Sequence, residues 1–325
     1  MTVPVSAQSH YPVVVSRDPE HVIQDPVPTP PHRTRAHPEE EAVVVNPPVV
    51  VGFDGSPESL AATEWALREA QRRACPLTLL QAWPWPRRDV VGSDETYHRS
   101  VEQLSVREAE LRTLELEVPI SSSHVRAEPA EALGDAARSA AVLALGSRGL
   151  GAVHGYLTGS VSQEVLGRAA CPVVLVRAGE SEGEGAVLTG LDLAHPADEV
   201  LAFAFEAAAG RGAPLRVIHA WTPPPLRDYL TFDAIGGLED GLSEAEHARF
   251  TAIVEPWRAR HPEVDATCET ILGNASAVLV AAAGTARLLV VGRRAHHHPL
   301  GSRLGPVAHA AVHHAHCPVA VVPHG

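Results

Sequence analysis

An α/β fold, built as two tandem open parallel sheets of five strands each with helices on both faces, is what the sequence predicts, and three observations carry it. Short apolar runs alternate with helical patterns along the chain, the signature of parallel strands joined by crossover helices. The pattern then repeats: GFDGS at Gly52 answers GLDLA at Gly190, and QAWPWP at Gln81 answers HAWTPP at His219, both displaced by 138 positions. Later landmarks are displaced by 146, with GSRG at Gly146 answering GRRA at Gly292 and CPVVLV at Cys171 answering CPVAVV at Cys317. A shared order that grows by eight residues in its middle implies duplication of a whole domain. Length and composition agree, since 325 residues with 45% hydrophobic content suffice for two domains with cores of their own.

Taken in order, residues 1–46 carry many prolines and charges without periodicity and read as a disordered tail. The first domain is expected over residues 47–178, with strands near 49–52, 77–82, 122–127, 142–146 and 173–176. Between the first two strands, Ser56 is placed to cap a helix with Pro57 at its first position. Leu60, Leu67, Ala70 and Ala74 then share one face at helical spacing. An acidic link over residues 179–185, with glycines and serine, separates the copies. The second domain, residues 186–325, repeats the strands near 187–191, 215–220, 267–272, 288–292 and 319–322.

Composition excludes several functions. A net charge of −13 argues against nucleic acid or an anionic membrane as partner, because both call for a basic face. No apolar run reaches membrane-spanning length and no secretory signal opens the chain, so a soluble cytoplasmic protein is expected. Cys75, Cys171, Cys268 and Cys317 show neither CxxC nor metal spacing, and three precede proline at the mouth of a strand, where a small buried thiol fits. All 26 basic residues are arginine, which removes Schiff-base chemistry and lysine-assisted phosphoryl transfer.

The segment from Gly146 to Ser162, GSRGLGAVHGYLTGSVS, concentrates the chemistry. It leaves an apolar strand and enters a helical pattern, so backbone N–H groups and a helix dipole both face the turn, as an anion site requires. It is not a Walker loop, which needs lysine, nor the dinucleotide fingerprint of a first strand–helix unit. In open α/β sheets ligands lie beyond the carboxyl ends of strands where the strand order reverses. Asp54, just past the first strand, Ala82, ending the second, and Gly146, ending the fourth, therefore face one crevice. An adenosine fits across it, with its base against backbone at Ala82 and its phosphates on the glycine loop, where Ser160 and Ser162 supply hydroxyls. Two readings of Asp54 stand side by side: a ribose or magnesium contact, and a turn-forming Asx residue in FDGSP.

With these motifs in hand the chain resembles a tandem universal stress protein over residues 47–323. The resemblance rests on the loop Gly-x2-Gly-x9-Gly-Ser, met here at Gly146, Gly149, Gly159 and Ser160, on Asp54 in VVVGFDGS and on the closing CPVVLV strand. It implies an adenine-nucleotide-hydrolase-like, Rossmann-like domain that dimerises through its last strand and holds ATP on the loop. The candidate cofactor-binding set is Asp54, Ala82, Gly146, Arg148, Gly149, Gly159, Ser160, Val161 and Ser162, with ATP and Mg2+ as cofactors and no catalytic residue or metal centre.

The second copy departs from this pattern. Ala295 replaces the second glycine and Pro306 follows Gly305 where the hydroxyl residue belongs, so an N–H and a hydroxyl donor are lost. Only the first domain is expected to bind ATP well. His309 and His313 lie four apart on a predicted helix, with His296–His298 nearby, but they lack a closed ligand set and read as a solvated face. His154 in the first loop either contacts phosphate or points to water. Without a lysine or a placed base, the expected role is regulatory holding of nucleotide rather than catalysis, with at most slow hydrolysis. The alternative is a nucleotide-free interaction module in which residues 173–176 pair with 319–322 inside one chain and the surface recruits an unknown protein partner. A further possibility is a homodimer.

Overall fold

The computed structural model describes residues 46–84, 93–114, 116–147, 160–179, 183–222, 232–294 and 304–325. Among these residues ten strands lie within two residues of the expected bounds, the third at 120–125 where 122–127 was expected. They are β1 (Val49–Gly52), β2 (Leu77–Ala82), β3 (Ile120–Val125), β4 (Val142–Ser147) and β5 (Val173–Arg177) in the first half. The second half supplies β6 (Val187–Gly190), β7 (Leu215–Trp221), β8 (Ala266–Leu272), β9 (Leu288–Arg294) and β10 (Val319–His324). Between them run α1 (Pro57–Arg72), α2 (Ser93–Arg112), α3 (Pro129–Ala136), α4 (Ser160–Arg168), α5 (Asp198–Arg211), α6 (Phe232–Arg260), α7 (Ala275–Ala282) and α8 (Pro306–His314).

The two expected sheets are joined into one. The strand order is β3-β2-β1-β4-β5-β10-β9-β6-β7-β8, parallel within each half and antiparallel where β5 meets β10. Val173 pairs with Val321 and Leu175 with Val319, so the last strand of each half covers the other's open edge. The physical reason is the one that makes any apolar edge unstable: β-branched residues with unpaired backbone groups seek another strand, and the duplicate supplies it. Val173, Val174, Val319 and Ala320 are buried as a result.

Each face of the sheet carries its own core. Against one lie α1, α2, α5 and α6, burying Trp65, Leu79, Phe205 and Phe250. Against the other lie α3, α4, α7 and α8, burying Leu133, Leu143, Val165, Leu166 and Leu289. The alternation along β4, with Val142 and Ala144 on the first face and Leu143 and Leu145 on the second, is what a strand covered on both sides requires. Cys75, Cys171 and Cys317 are buried, as their position before proline suggests.

Ser56 caps α1 as expected, accepting from the Ser59 N–H at 3.2 Å, with Pro57 in the first turn. The predicted apolar face of α1 needs one correction. Ala74 lies past the helix end, is exposed, and adopts a left-handed φ of 46°. Ala62, Trp65, Ala66, Leu67 and Ala70 form the buried stripe instead, with Leu60 half-buried.

A buried ionic cluster joins α1 to α5 across the two halves. Glu69 accepts from Arg211 at 2.8 Å and from Arg73 at 2.7 Å, with Arg72 at 3.5 Å, and the side chains of Glu69 and Arg211 are 2% and 1% exposed. Burial pushes the Glu69 carboxyl up, yet Arg211, Arg73 and Arg72 together outweigh it and hold it below the usual carboxylate range. Among the described residues no helix is long and apolar enough to cross a membrane.

Candidate functional site

Beyond the carboxyl ends of β1, β2 and β4 lies a cleft of about 290 Å³. Its wall includes Asp54, Ala82, Gly146, Ser160, Val161 and Ser162, six of the nine residues that sequence reasoning selected. Arg148, Gly149 and Gly159, like His154, lie outside the described residues. The size sits at the low end of ligand clefts, roughly 300–1,000 Å³. The location is the one where strand order reverses, with β1 flanked by β2 and β4.

Three helices begin in this cleft. Ser56, Glu58 and Ser59 come from the start of α1, Pro129 from the start of α3, and Ser160, Val161 and Ser162 from the start of α4. The first turn of a helix carries N–H groups that no carbonyl within the helix can satisfy and the positive end of its dipole, and at α1 the Ser59 N–H is already taken by the Ser56 hydroxyl. Their convergence makes the cleft attractive to an anion, and the two acidic side chains on its wall, Asp54 and Glu58, add sites for a cation accompanying that anion.

Asp54 realises the turn reading: its Oδ1 accepts from the Ser56 N–H at 2.9 Å and from the Ser56 hydroxyl at 2.5 Å. This Asx turn starts α1, and it leaves Asp54 on the cleft wall. Gly146 is glycine for a different reason from the one its loop suggests. A Cβ there would stand 2.6 Å from the Glu58 carbonyl carbon and 2.7 Å from the Ser59 nitrogen, so the missing side chain lets α1 close onto β4. Its φ is not left-handed, since the described glycines with that geometry are Gly55, Gly179, Gly212 and Gly273. Glu58, Ser59, Pro129 and Leu133 are wall residues that sequence reasoning missed. The signal for Glu58 was present, because an acidic residue directly after the capping pair Ser56–Pro57 belongs in the first turn of the helix.

The second half carries an equivalent cleft of about 530 Å³, larger than the first. Asp192 repeats the Asx turn of Asp54, its Oδ1 accepting from the Ala194 N–H at 2.9 Å. Burial raises the Asp192 carboxyl, but that N–H, His195 at 3.3 Å and Arg294 at 3.4 Å outweigh it and hold it below its ordinary value. The chemistry of the wall differs from that of the first cleft: Pro306, Val307 and Ala308 stand where Ser160, Val161 and Ser162 stand there, and Arg294, His195, His219 and His324 add basic groups. The loss of donors in the second copy is thus visible at the start of α8, whereas loss of volume is not. Ala295 and His296–His298 lie outside the described residues.

The expectation of a solvated histidine face on α8 holds for His309 and fails for His313. The two rings pack at 4.4 Å between centroids, and His313 is 8% exposed because Ala308, Ala311 and Val312 draw that side of the helix into the core. Its burial, followed by His309, His314 and Arg177, lowers its pKa. Among the described residues no group of three or more histidine, cysteine or acidic side chains is arranged to hold a metal ion.

Comparison with known proteins bears on these features directly. A sequence model of the universal stress protein family matches residues 46–177 and again residues 185–323. A universal stress protein of Mycobacterium tuberculosis is 30% identical over 289 residues, spanning 84% of this chain and 96% of that one. One from Mycolicibacterium smegmatis is 29% identical over 288 residues, with the same 84% of this chain covered. The crystal structure of a universal stress protein from Archaeoglobus fulgidus superposes with a TM-score of 0.63 over 85% of this chain and 98% of its own, at 18% identity, a likeness of fold. With two matched domains in one chain and a relative sharing this identity along nearly its whole length, the protein belongs to the universal stress protein family as a two-domain member.

Proposed function

We propose that the first half's cleft holds ATP with Mg2+ and that the chain acts in the cytoplasm as a regulatory nucleotide-holding protein of the stress response or dormancy, not as an enzyme. The observation that carries this reading is the convergence of three helix starts on one cleft at the strand-order reversal. Ser160 and Ser162 would meet phosphate oxygens, together with the loop residues Arg148, Gly149 and Gly159. Asp54 and Glu58 would face the magnesium ion or the ribose. Ala82 also lines the cleft, and backbone at the end of β2 suits an adenine edge. Among the described wall residues the Ser56 hydroxyl is bonded to the Asp54 carboxylate, but both are tied into the start of α1, so on this reading bound ATP meets little beyond slow attack by water. The second cleft, without the two hydroxyls, is the weaker nucleotide site on this reading.

The pairing of β5 with β10 gives weight to a second reading, an interaction module that needs no nucleotide, because the last strands are already satisfied within the chain. It also means that a homodimer would have to use another surface. Gly159→Arg separates the readings by placing a long side chain in the phosphate loop. ATP binding should be lost while the circular dichroism spectrum and thermal transition stay as in the parent protein. A variant that binds ATP as the parent does would remove the loop from the account.

A further inference from the structure

Each half caps the last helix of the other with an arginine. Arg293, at the end of β9, donates Nη2 to the Ala169 carbonyl at 2.6 Å and Nη1 to the Gly167 carbonyl at 3.3 Å, and is 4% exposed. These carbonyls close the carboxyl end of α4, in the first half. Arg177, at the end of β5, donates to the Val312 carbonyl at 3.0 Å and to the Ala315 carbonyl, closing α8 in the second half. The two arginines do not occupy matching places in the repeat. The position 146 residues before Arg293 is Ser147, and the one 146 residues after Arg177 is Pro323, so each helix receives one arginine, drawn from a different strand.

We propose that Arg293 is a positioning residue for the first half's cleft, supplied across the β5–β10 junction by the second half. The inference rests on the nucleotide reading above. The α4 helix has nine residues, about 13 Å at 1.5 Å per residue, and behaves as a short rod. Its first residues, Ser160 to Ser162, form the cleft wall, and its last carbonyls rest on the Arg293 guanidinium. A cation there meets the negative end of the helix dipole and satisfies carbonyls that no further turn can reach. The axial placement of the hydroxyls and N–H groups that face phosphate is thereby set by a residue of the other half. Arg294, the next residue, lines the second cleft, so two consecutive residues reach the carboxyl end of α4 and the wall of the second cleft.

The test titrates the full chain with Mg-ATP and, separately, with adenosine, in the parent protein, Arg293→Met and Arg293→Lys. The start of α4 faces the phosphates and not the nucleoside, so Arg293→Met should weaken ATP about two- to thirtyfold, the range for changes along rigid elements remote from a ligand. Adenosine affinity should be unchanged, and Arg293→Lys, which keeps one charged donor, should recover part of the ATP loss. Equal ATP affinity in parent and Arg293→Met overturns the proposal, as does an equal fall for both ligands, which marks general loss of structure. If Arg293→Met fails to fold, Arg293→Lys carries the test alone: weaker ATP with unchanged adenosine supports positioning, and unchanged ATP overturns it. A parent protein that binds neither ligand defeats the nucleotide reading itself, and this inference with it.

Discussion

Replacing Gly146 with alanine tests whether the cleft is shaped by the seat of α1 on β4. The new Cβ would stand 2.6 Å and 2.7 Å from main-chain atoms of Glu58 and Ser59, separations that real Cβ atoms do not adopt, so the helix start must move. Overpacking of this kind costs about 1–3 kcal/mol, and the upper part of that range applies because backbone rather than a side-chain tip blocks the space. Gly52→Ala is the internal comparison: its Cβ would meet the Leu145 Cδ2 tip at 2.8 Å, which can turn aside, and about 1 kcal/mol is expected. Gly134 lies inside α3 with nothing within 4 Å of the added carbon, so Gly134→Ala should stabilise by about 0.4–1 kcal/mol. Urea unfolding of the three variants should therefore rank Gly134→Ala above the parent, then Gly52→Ala, then Gly146→Ala. Because Glu58 and Ser59 are also cleft wall, Gly146→Ala should lower ATP affinity along with stability. A Gly146→Ala protein as stable as the parent, or more stable than Gly52→Ala, would refute the packing argument.

Glu69→Gln removes the carboxylate from a buried cluster and leaves Arg211 uncompensated, so denaturant unfolding should show a loss of about 3–5 kcal/mol. Since the Glu69 carboxyl titrates lower in the folded than in the unfolded chain, its stabilisation is present above the unfolded value of 4.5 and fades as pH falls through the folded one. The acid limb of the stability profile should be shallower in Glu69→Gln, and an unchanged limb would count against the cluster. His313 acts in the same direction at higher pH: its folded pKa is lowered below 6.5, so its contribution is full above that value and declines as pH falls below it, and His313→Leu should flatten that decline. Ser160→Ala combined with Ser162→Ala should weaken ATP about a hundredfold or more with little change in melting temperature, read by calorimetry, since each hydroxyl bond to a charged phosphate contributes about 1.5–3 kcal/mol.

Most of the fold was legible because its signals are local. Runs such as Val49–Val51 and Val173–Val176 combine β-branched residues with proline just before them, and the ten strands lie within a few residues of where these runs place them. Ser56–Pro57 marked the start of α1 for the same reason. What depended on distant contacts was less legible. The fusion of two sheets into one was open to the sequence only as an alternative, residues 173–176 against 319–322, because two separate chains would satisfy that pairing equally well. The need for glycine at 146 comes from Glu58 and Ser59 in the first turn of α1, more than 80 positions earlier, and no loop motif shows that. Ala74 fitted the helical spacing, yet the chain turns left-handed there to bring Cys75 into the core before β2. In the site, the strand ends placed Asp54, Ala82 and Gly146 together, while Pro129 and Leu133 entered only through the packing of α3. The cross-half bonds of Arg177 and Arg293 join residues more than 120 positions apart and have no sequence signature at all.

The central claim is that this two-domain chain holds one ATP well, in its first half. Calorimetric titration of the full chain with Mg-ATP reads affinity and stoichiometry together. The account predicts one tight site per chain, lost in Gly159→Arg. Two sites of equal affinity would show that Pro306 and Ala308 replace the serines without penalty, and no binding at millimolar ATP would leave the protein as an interaction module whose clefts serve some other purpose.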